Sequence, residues 1–146
     1  MNDRKNADVV SLGSFNIDHT TRLPSSELEE LENEIPEFPS AGETNKIDRW
    51  RLPERLRRLD YTISLGGKGA NQSVASARSG SETAFLGKVG TEDGEEAVSD
   101  LSDRGVDTEE VGTADAETGK AYVFVDERGE NRIIVVEGAN GRVEEE

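Results

Sequence analysis

Residues 65–71 read LGGKGAN, and the side chains in that run could do binding chemistry. Lys68 is a positive donor and Asn71 an amide that both donates and accepts. Gly66, Gly67 and Gly69 let a backbone come close to whatever binds. Glycine runs at a strand-to-helix turn often cradle phosphates, with the amides of the helix N-terminus aimed at the anion. Spacing excludes the two best-defined versions. A P-loop, G-x-x-x-x-G-K-[ST], has its lysine after the last glycine and a hydroxyl next. Here Lys68 lies between Gly67 and Gly69, and Ala70 and Asn71 follow. The dinucleotide pattern G-x-G-x-x-G fails because Gln72 stands where its last glycine should be. The ligand is therefore something other than a triphosphate.

A second run, GSFNID at 13–18, offers Asn16 and Asp18 just beyond the apolar stretch Val9–Leu12. Two residues apart in extended geometry, they point the same way. An aspartate accepts two hydroxyls and an asparagine donates and accepts, which suits a polyhydroxyl ligand. Asn and Asp after a strand are also ordinary turn formers. A tight β–α turn needs one glycine, whereas this one has three. On the residues alone, both readings stand at each stretch.

The elements that would position these groups follow from the pattern. Val9–Leu12 reads as a short buried strand, SSELEELENEIPEF as an acidic helix with a Ser26/Glu29 capping box ended by Pro36, and PSAGET as a turn. RWRLPERLRRLD is a basic island with a short helix entered at Pro53 and Leu52, Leu56 and Leu59 on one side. YTISL is a strand, and 72–79 a helix closed by Gly80. TAFLGKVG is a strand, and TEDGEEAVSDLSDRG a helix with acidic residues at its positive end and Ala97, Val98 and Leu101 buried. AYVFVDERGENRIIVV is a hairpin turning at Gly129. Alternating strands and helices followed by a hairpin give an α/β fold, a parallel sheet flanked by helices with an antiparallel appendage. The 146 residues read as a single partial domain.

Composition narrows the partners. The formal charge is −15, spread through the chain and densest at SELEELENE and the terminal VEEE. Phosphate backbones need a basic face, so nucleic-acid binding is disfavoured. Self-repulsion of this size destabilises a compact chain unless salt screens it, which points to a high-salt cytoplasm. No apolar run approaches the ~20 residues of a membrane span. MNDRKNADVV lacks the apolar region of a signal peptide, so a cytoplasmic, membrane-free protein is expected. With one histidine and no cysteine, no structural zinc site is expected.

Taken together, GSFNID, GGKGANQSVA after a strand, TAFLGKVGTEDGEEAVSDLSDRGVDTEEV and a hairpin ending in EGAN resemble the N-terminal half of a ribokinase-like carbohydrate kinase. The likeness runs over nearly the whole chain in order, and the lysine between the glycines followed by GANQ is closest to ribokinases. The resemblance implies a Rossmann-type parallel sheet with a β-hairpin lid. It also implies a sugar substrate, a pentose or ketohexose, whose hydroxyls Asp18 holds. Asn16, Gly66, Gly67, Lys68 and Asn71 fall on matching sugar-pocket positions.

The departures are as informative. The family's second signature resembles D-T-x-G-A-G-D and carries the catalytic base and anion hole; DTEEVG at 107–112 shares only its opening letters. The expectation is thus a chain truncated before the ATP-binding half, with no catalytic residue, no cofactor and no metal of its own. Mg-ATP is implied only for the complete enzyme. Expected partners are a separate C-terminal half and a second copy through the lid strands. The alternatives are a non-catalytic sugar-binding or dimerising module, or a degenerate remnant. His19 reads as a rim residue, Trp50 as an interface anchor or lid residue, and the carboxylates of DGEE and VEEE as solvated charge.

Overall fold

The structure, a computed structural model, describes residues 6–144. The first residues of MNDRKNADVV and the last two glutamates of VEEE lie outside the described residues. Contacts divide the chain into two compact units.

The first unit comprises the residues up to Asn16, Leu65–Gly119, and those from Gly138 on. Its strand β1 (Val9–Leu12) pairs in parallel with β5 (Thr83–Leu86), Val9 beside Thr83 and Leu12 beside Leu86. Helix α3 (Lys68–Arg78) packs on both. It ends as expected, with Gly80 at φ 96°, a conformation that favours glycine. A second parallel pair, β6 (Lys88–Gly90) with β7 (Gly112–Ala114), carries helix α4 (Gly94–Asp103). Phe15 and Phe85 are fully buried, their rings 5.8 Å apart.

Several details depart from the sequence reading. Val9–Leu12 is not buried on both faces: Ser11 is buried, but Val10 and Leu12 are 56% and 67% exposed, because among the described residues α3 covers one face only. The expected strand TAFLGKVG is two strands, broken at Gly87. In DGEE, Glu95 and Glu96 are exposed as expected, but Asp93 is not free charge. Its Oδ1 accepts from the Thr118 amide at 2.8 Å and the Thr118 hydroxyl at 2.7 Å, and that hydroxyl accepts from the Gly90 amide at 2.9 Å. The aspartate thus ties the start of α4 to the strand entering the hairpin.

The second unit, Ile17–Ser64 and Lys120–Glu137, is built on a five-stranded sheet of order β3-β9-β8-β2-β4. The strands are β2 (Asn16–Arg22), β3 (Thr44–Lys46), β4 (Thr62–Gly66), β8 (Gly119–Val125) and β9 (Asn131–Val136), with β8 and β9 antiparallel as the hairpin predicted. GSFNID is therefore not a turn beyond Ser14: Asn16 opens an extended strand.

One face of this sheet carries the core. Tyr122, Phe124, Ile134 and Val136 pack against Leu28 and Leu31 of α1 (Ser25–Glu34), against Phe38, Ile47 and Leu52, and against Leu56 of the four-residue helix α2 (Glu54–Arg57). Each such side chain, fully buried, contributes about 1.5–3 kcal/mol. The capping box expected at Ser26 does not form. Instead the exposed Glu127 carboxylate, from the hairpin turn, accepts the Ser25 amide at 2.8 Å and the Ser25 hydroxyl at 2.6 Å. Those bonds hold its pKa down at about 2. The basic island forms ion pairs with the acidic helix and the turn after it: Arg55 with Glu34 at 2.6 Å, and Arg51 with Glu37. Trp50, at 79% exposed, projects from it. Among the described residues no helix is long and apolar enough to cross a membrane.

Arg132 is an anomaly in this core. It is 4% exposed, its Nε and Nη1 have no hydrogen-bond partner among the described residues, and Nη2 reaches Glu32 only at 3.3 Å. Desolvation of a poorly paired guanidinium exceeds its Coulombic return, so Arg132→Met is expected to stabilise the fold by ~1–4 kcal/mol. A lowered urea midpoint in that variant would contradict the account.

Candidate functional site

The LGGKGAN stretch begins helix α3 earlier than its pattern suggested. The helix starts at Lys68, four residues before the expected Gln72, so Lys68, Gly69, Ala70 and Asn71 form its first turn. Backbone contact explains two of the three glycines. Gly67, at φ 93°, precedes the helix, and a Cβ there would lie 2.5 Å from the Ser14 carbonyl oxygen. At Gly69 a Cβ would lie 2.7 Å from the Gly13 backbone, so helix and strand end touch glycine to glycine. Gly66 closes β4 and is buried.

The helix N-terminus is not an open anion cradle. Ser14 occupies it: the Lys68 amide donates to Ser14 Oγ at 3.0 Å and the Ala70 amide to the Ser14 carbonyl at 3.1 Å. The expectation of free amides aimed at a ligand is thus corrected for Lys68 and Ala70. Ser11 Oγ adds a bond to the Gly69 carbonyl at 2.8 Å. What the turn does present is side chains. Lys68 and Asn71 are exposed, and neither has a side-chain partner among the described residues.

Asn16 is held in place by a residue that the sequence did not single out. Asn140, the last residue of EGAN and part of the short 3-10 turn Gly138–Arg142, accepts the Phe15 amide at 2.9 Å and donates to the Phe15 carbonyl at 3.1 Å and to Asn16 Oδ1 at 2.8 Å. With its oxygen engaged, Asn16 keeps its amide hydrogens for another partner. The first unit therefore brings together Asn16, Gly66, Gly67, Lys68 and Asn71, with Ser14 and Asn140 as supports. The only sequence signals for the supports were their places inside GSFNID and EGAN.

Asp18 belongs to the second unit. His19, next to it on β2, packs its ring against Tyr122 at 4.9 Å and Tyr61 at 5.6 Å on the core side. Alternation puts Asp18 on the opposite face, which also carries Ala121, Val123, Ile133 and Val135. On that apolar face Asp18 Oδ1 is buried with no hydrogen-bond partner among the described residues, and desolvation raises the carboxyl pKa above its ordinary 3.8. Buried polar atoms are nearly always paired, so an orphaned carboxylate oxygen is a candidate acceptor for a ligand's donor. A surface cavity of about 330 Å³ elsewhere, lined by Glu82, Thr83, Asp107 and Glu109 among others, contains none of these residues, and its acidic lining repels anions.

A parallel strand–helix–strand unit bearing a glycine turn, joined in sequence to a five-stranded sheet, defines an α/β protein. The comparison with known families agrees: the model of the pfkB family carbohydrate kinases matches residues 36–146, and the chain belongs to that family. It is 34% identical to a ribokinase of Haemophilus influenzae and 41% identical to one of Lactococcus lactis, covering 94% and 92% of this chain but 38% of each relative. Among solved structures, the adenosine kinase of Sinorhizobium meliloti superposes with a TM-score of 0.79 at 26% identity, over 94% of this chain and 41% of that one. The chain thus spans about two fifths of the length of these relatives.

Proposed function

We propose that this chain is the sugar-binding portion of a ribokinase-type carbohydrate kinase, holding a pentose or ketohexose for phosphoryl transfer from ATP. One observation carries the reading most: the buried, unpartnered Oδ1 of Asp18. A sugar hydroxyl supplies the donor that this oxygen lacks, and a second hydroxyl can use Oδ2. In the first unit, taken by itself, Asn71 and the free hydrogens of the Asn16 amide are further groups able to bind a hydroxyl. Gly66 and Gly67 keep the turn clear of side chains, and the Lys68 ammonium adds a flexible positive donor.

The residues present do not fit Mg-ATP. The Lys68 and Ala70 amides of α3 are engaged by Ser14, nothing resembles D-T-x-G-A-G-D, and no cluster of three or more His, Asp or Glu suited to a metal stands among the described residues. The role of this chain is to bind and orient the acceptor, with donor and catalytic base supplied by other residues. Saturation-transfer NMR tests this with ribose, fructose and glycerol in parallel. Transfer to ribose or fructose but not glycerol is expected; equal transfer to all three would overturn the reading.

Self-association is also proposed, through the half-buried row Val123, Val125, Ile133 and Val135 on the hairpin. The other hairpin face is covered within the unit by α1 and the residues that follow it. Sedimentation should show a dimer or larger species, and a compact monomer at micromolar concentration would count against it.

A further inference from the structure

The half-buried Asn140 has surroundings that leave its amide one orientation. The Phe15 backbone amide can only donate, so the atom 2.9 Å from it is the acceptor, Asn140 Oδ1. Asn140 Nδ2 then faces two oxygens, the Phe15 carbonyl at 3.1 Å and the Asn16 side chain at 2.8 Å, and gives one hydrogen to each. The Asn16 atom beside it has to accept, which turns Oδ1 toward Asn140 and Nδ2 away. A backbone amide 125 positions from Asn140 in sequence thus decides which end of Asn16 is left to a ligand.

Both ends of this arrangement stand on fixed footing within the first unit. Beside Asn140, Ala139 is fully buried and its amide donates to the Glu117 carbonyl at 2.8 Å. The residue after Glu117, Thr118, is tied to Asp93 through both its amide and its hydroxyl. At the other end Phe15 is fully buried against Phe85. An unrestrained asparagine turns about χ2 and meets a donor or an acceptor equally well. This one offers hydrogens only. We propose that Asn140 is a positioning residue that locks the Asn16 side chain as a hydrogen-bond donor, so that a ligand reaches Asn16 through the lone pair of a hydroxyl, ring or carbonyl oxygen. A group that can only donate, such as an ammonium, is refused at this position. The identity of the ligand rests on the sugar reading above, whereas the orientation of Asn16 does not.

Side-chain amide exchange of the whole chain, followed by NMR, tests the lock without any ligand. Both Asn140 Nδ2 hydrogens should exchange roughly tenfold or more slowly than those of Asn16. Asn140→Asp keeps an acceptor for the Phe15 amide and puts a second acceptor where the Nδ2 donor was. Asn16 should then turn over and give that carboxylate one of its own hydrogens, which becomes slow to exchange. Asn16→Ala probes the same bond from the other side, and should speed one Asn140 hydrogen while the Phe15 carbonyl still protects the other. Asn16→Asp preserves the acceptor for Asn140 but turns the outward donor into an acceptor. Asn140 should stay protected in it while the affinity for ribose falls roughly tenfold or more. Slow Asn16 hydrogens in the parent, Asn16 signals indifferent to Asn140→Asp, two protected Asn140 hydrogens in Asn16→Ala, or ribose held equally by Asn16→Asp would overturn the proposal. The expected exchange pattern in a parent that binds no sugar would uphold the lock and count against the proposed substrate alone.

Discussion

Asp18→Ala is expected to reduce ribose binding to below detection. A hydrogen bond to a charged acceptor is worth ~1.5–3 kcal/mol, and a millimolar site totals only about 4 kcal/mol. Losing the carboxylate therefore removes most of the affinity. Lys68→Ala should cost less, because an exposed ammonium is already hydrated. The same residue should trade stability for binding. Burial raises the Asp18 pKa above 3.8 in the fold, so the native state holds its proton more tightly than the unfolded chain. Its contribution is most favourable below pH 3.8 and is lost as pH rises through the raised value, leaving the full cost of a desolvated carboxylate at neutral pH. Asp18→Asn should then raise the melting temperature at pH 7, by a few degrees if the unpaired group costs of order 1 kcal/mol. Ribose binding by the parent should weaken as pH falls through that window. A variant that melts lower and binds ribose unchanged would remove Asp18 from the site.

The second large effect is expected from salt. Thirty-two acidic residues face seventeen basic ones, and ion pairs such as Arg55 with Glu34 and Arg58 with Glu54 lie on the surface, where each is worth ~0–1 kcal/mol. Net repulsion therefore dominates at low ionic strength. At ~0.1 M salt the Debye length is ~10 Å, and at 1 M it is about 3 Å. The melting temperature should climb steeply from ~0.1 M into molar KCl. A melting temperature indifferent to KCl would contradict the high-salt reading.

Much of the α/β scaffold was legible because its signals are local. Apolar periodicity marked α1 and α4, Gly80 and Gly105 marked helix ends, and the β-rich runs around Gly129 marked the hairpin. The three-residue strands β3 and β7 carry too few residues to alternate, and both are parallel partners of distant strands. Long-range contacts hid the rest. LGGKGAN looked like a ligand loop by its glycines, yet Gly67 and Gly69 answer to Ser14 and Gly13, more than fifty positions away. Ser14 as the cap of α3, Asn140 as the clamp on Asn16, and Thr118 as the partner of Asp93 are likewise pairings that only the fold creates. Val10 and Leu12 read as core because apolar runs usually are, and spacing carries no information on whether a second layer is present.

The central claim is that a chain two fifths the length of its relatives still holds a sugar. Calorimetry in molar KCl, titrating ribose into the unmodified chain and into Asp18→Ala, tests it most directly. The account predicts a weak, saturable heat for the chain, none for the variant, and no sugar phosphate when Mg-ATP is added. Absence of heat from the folded parent, or identical heats from parent and variant, would contradict it.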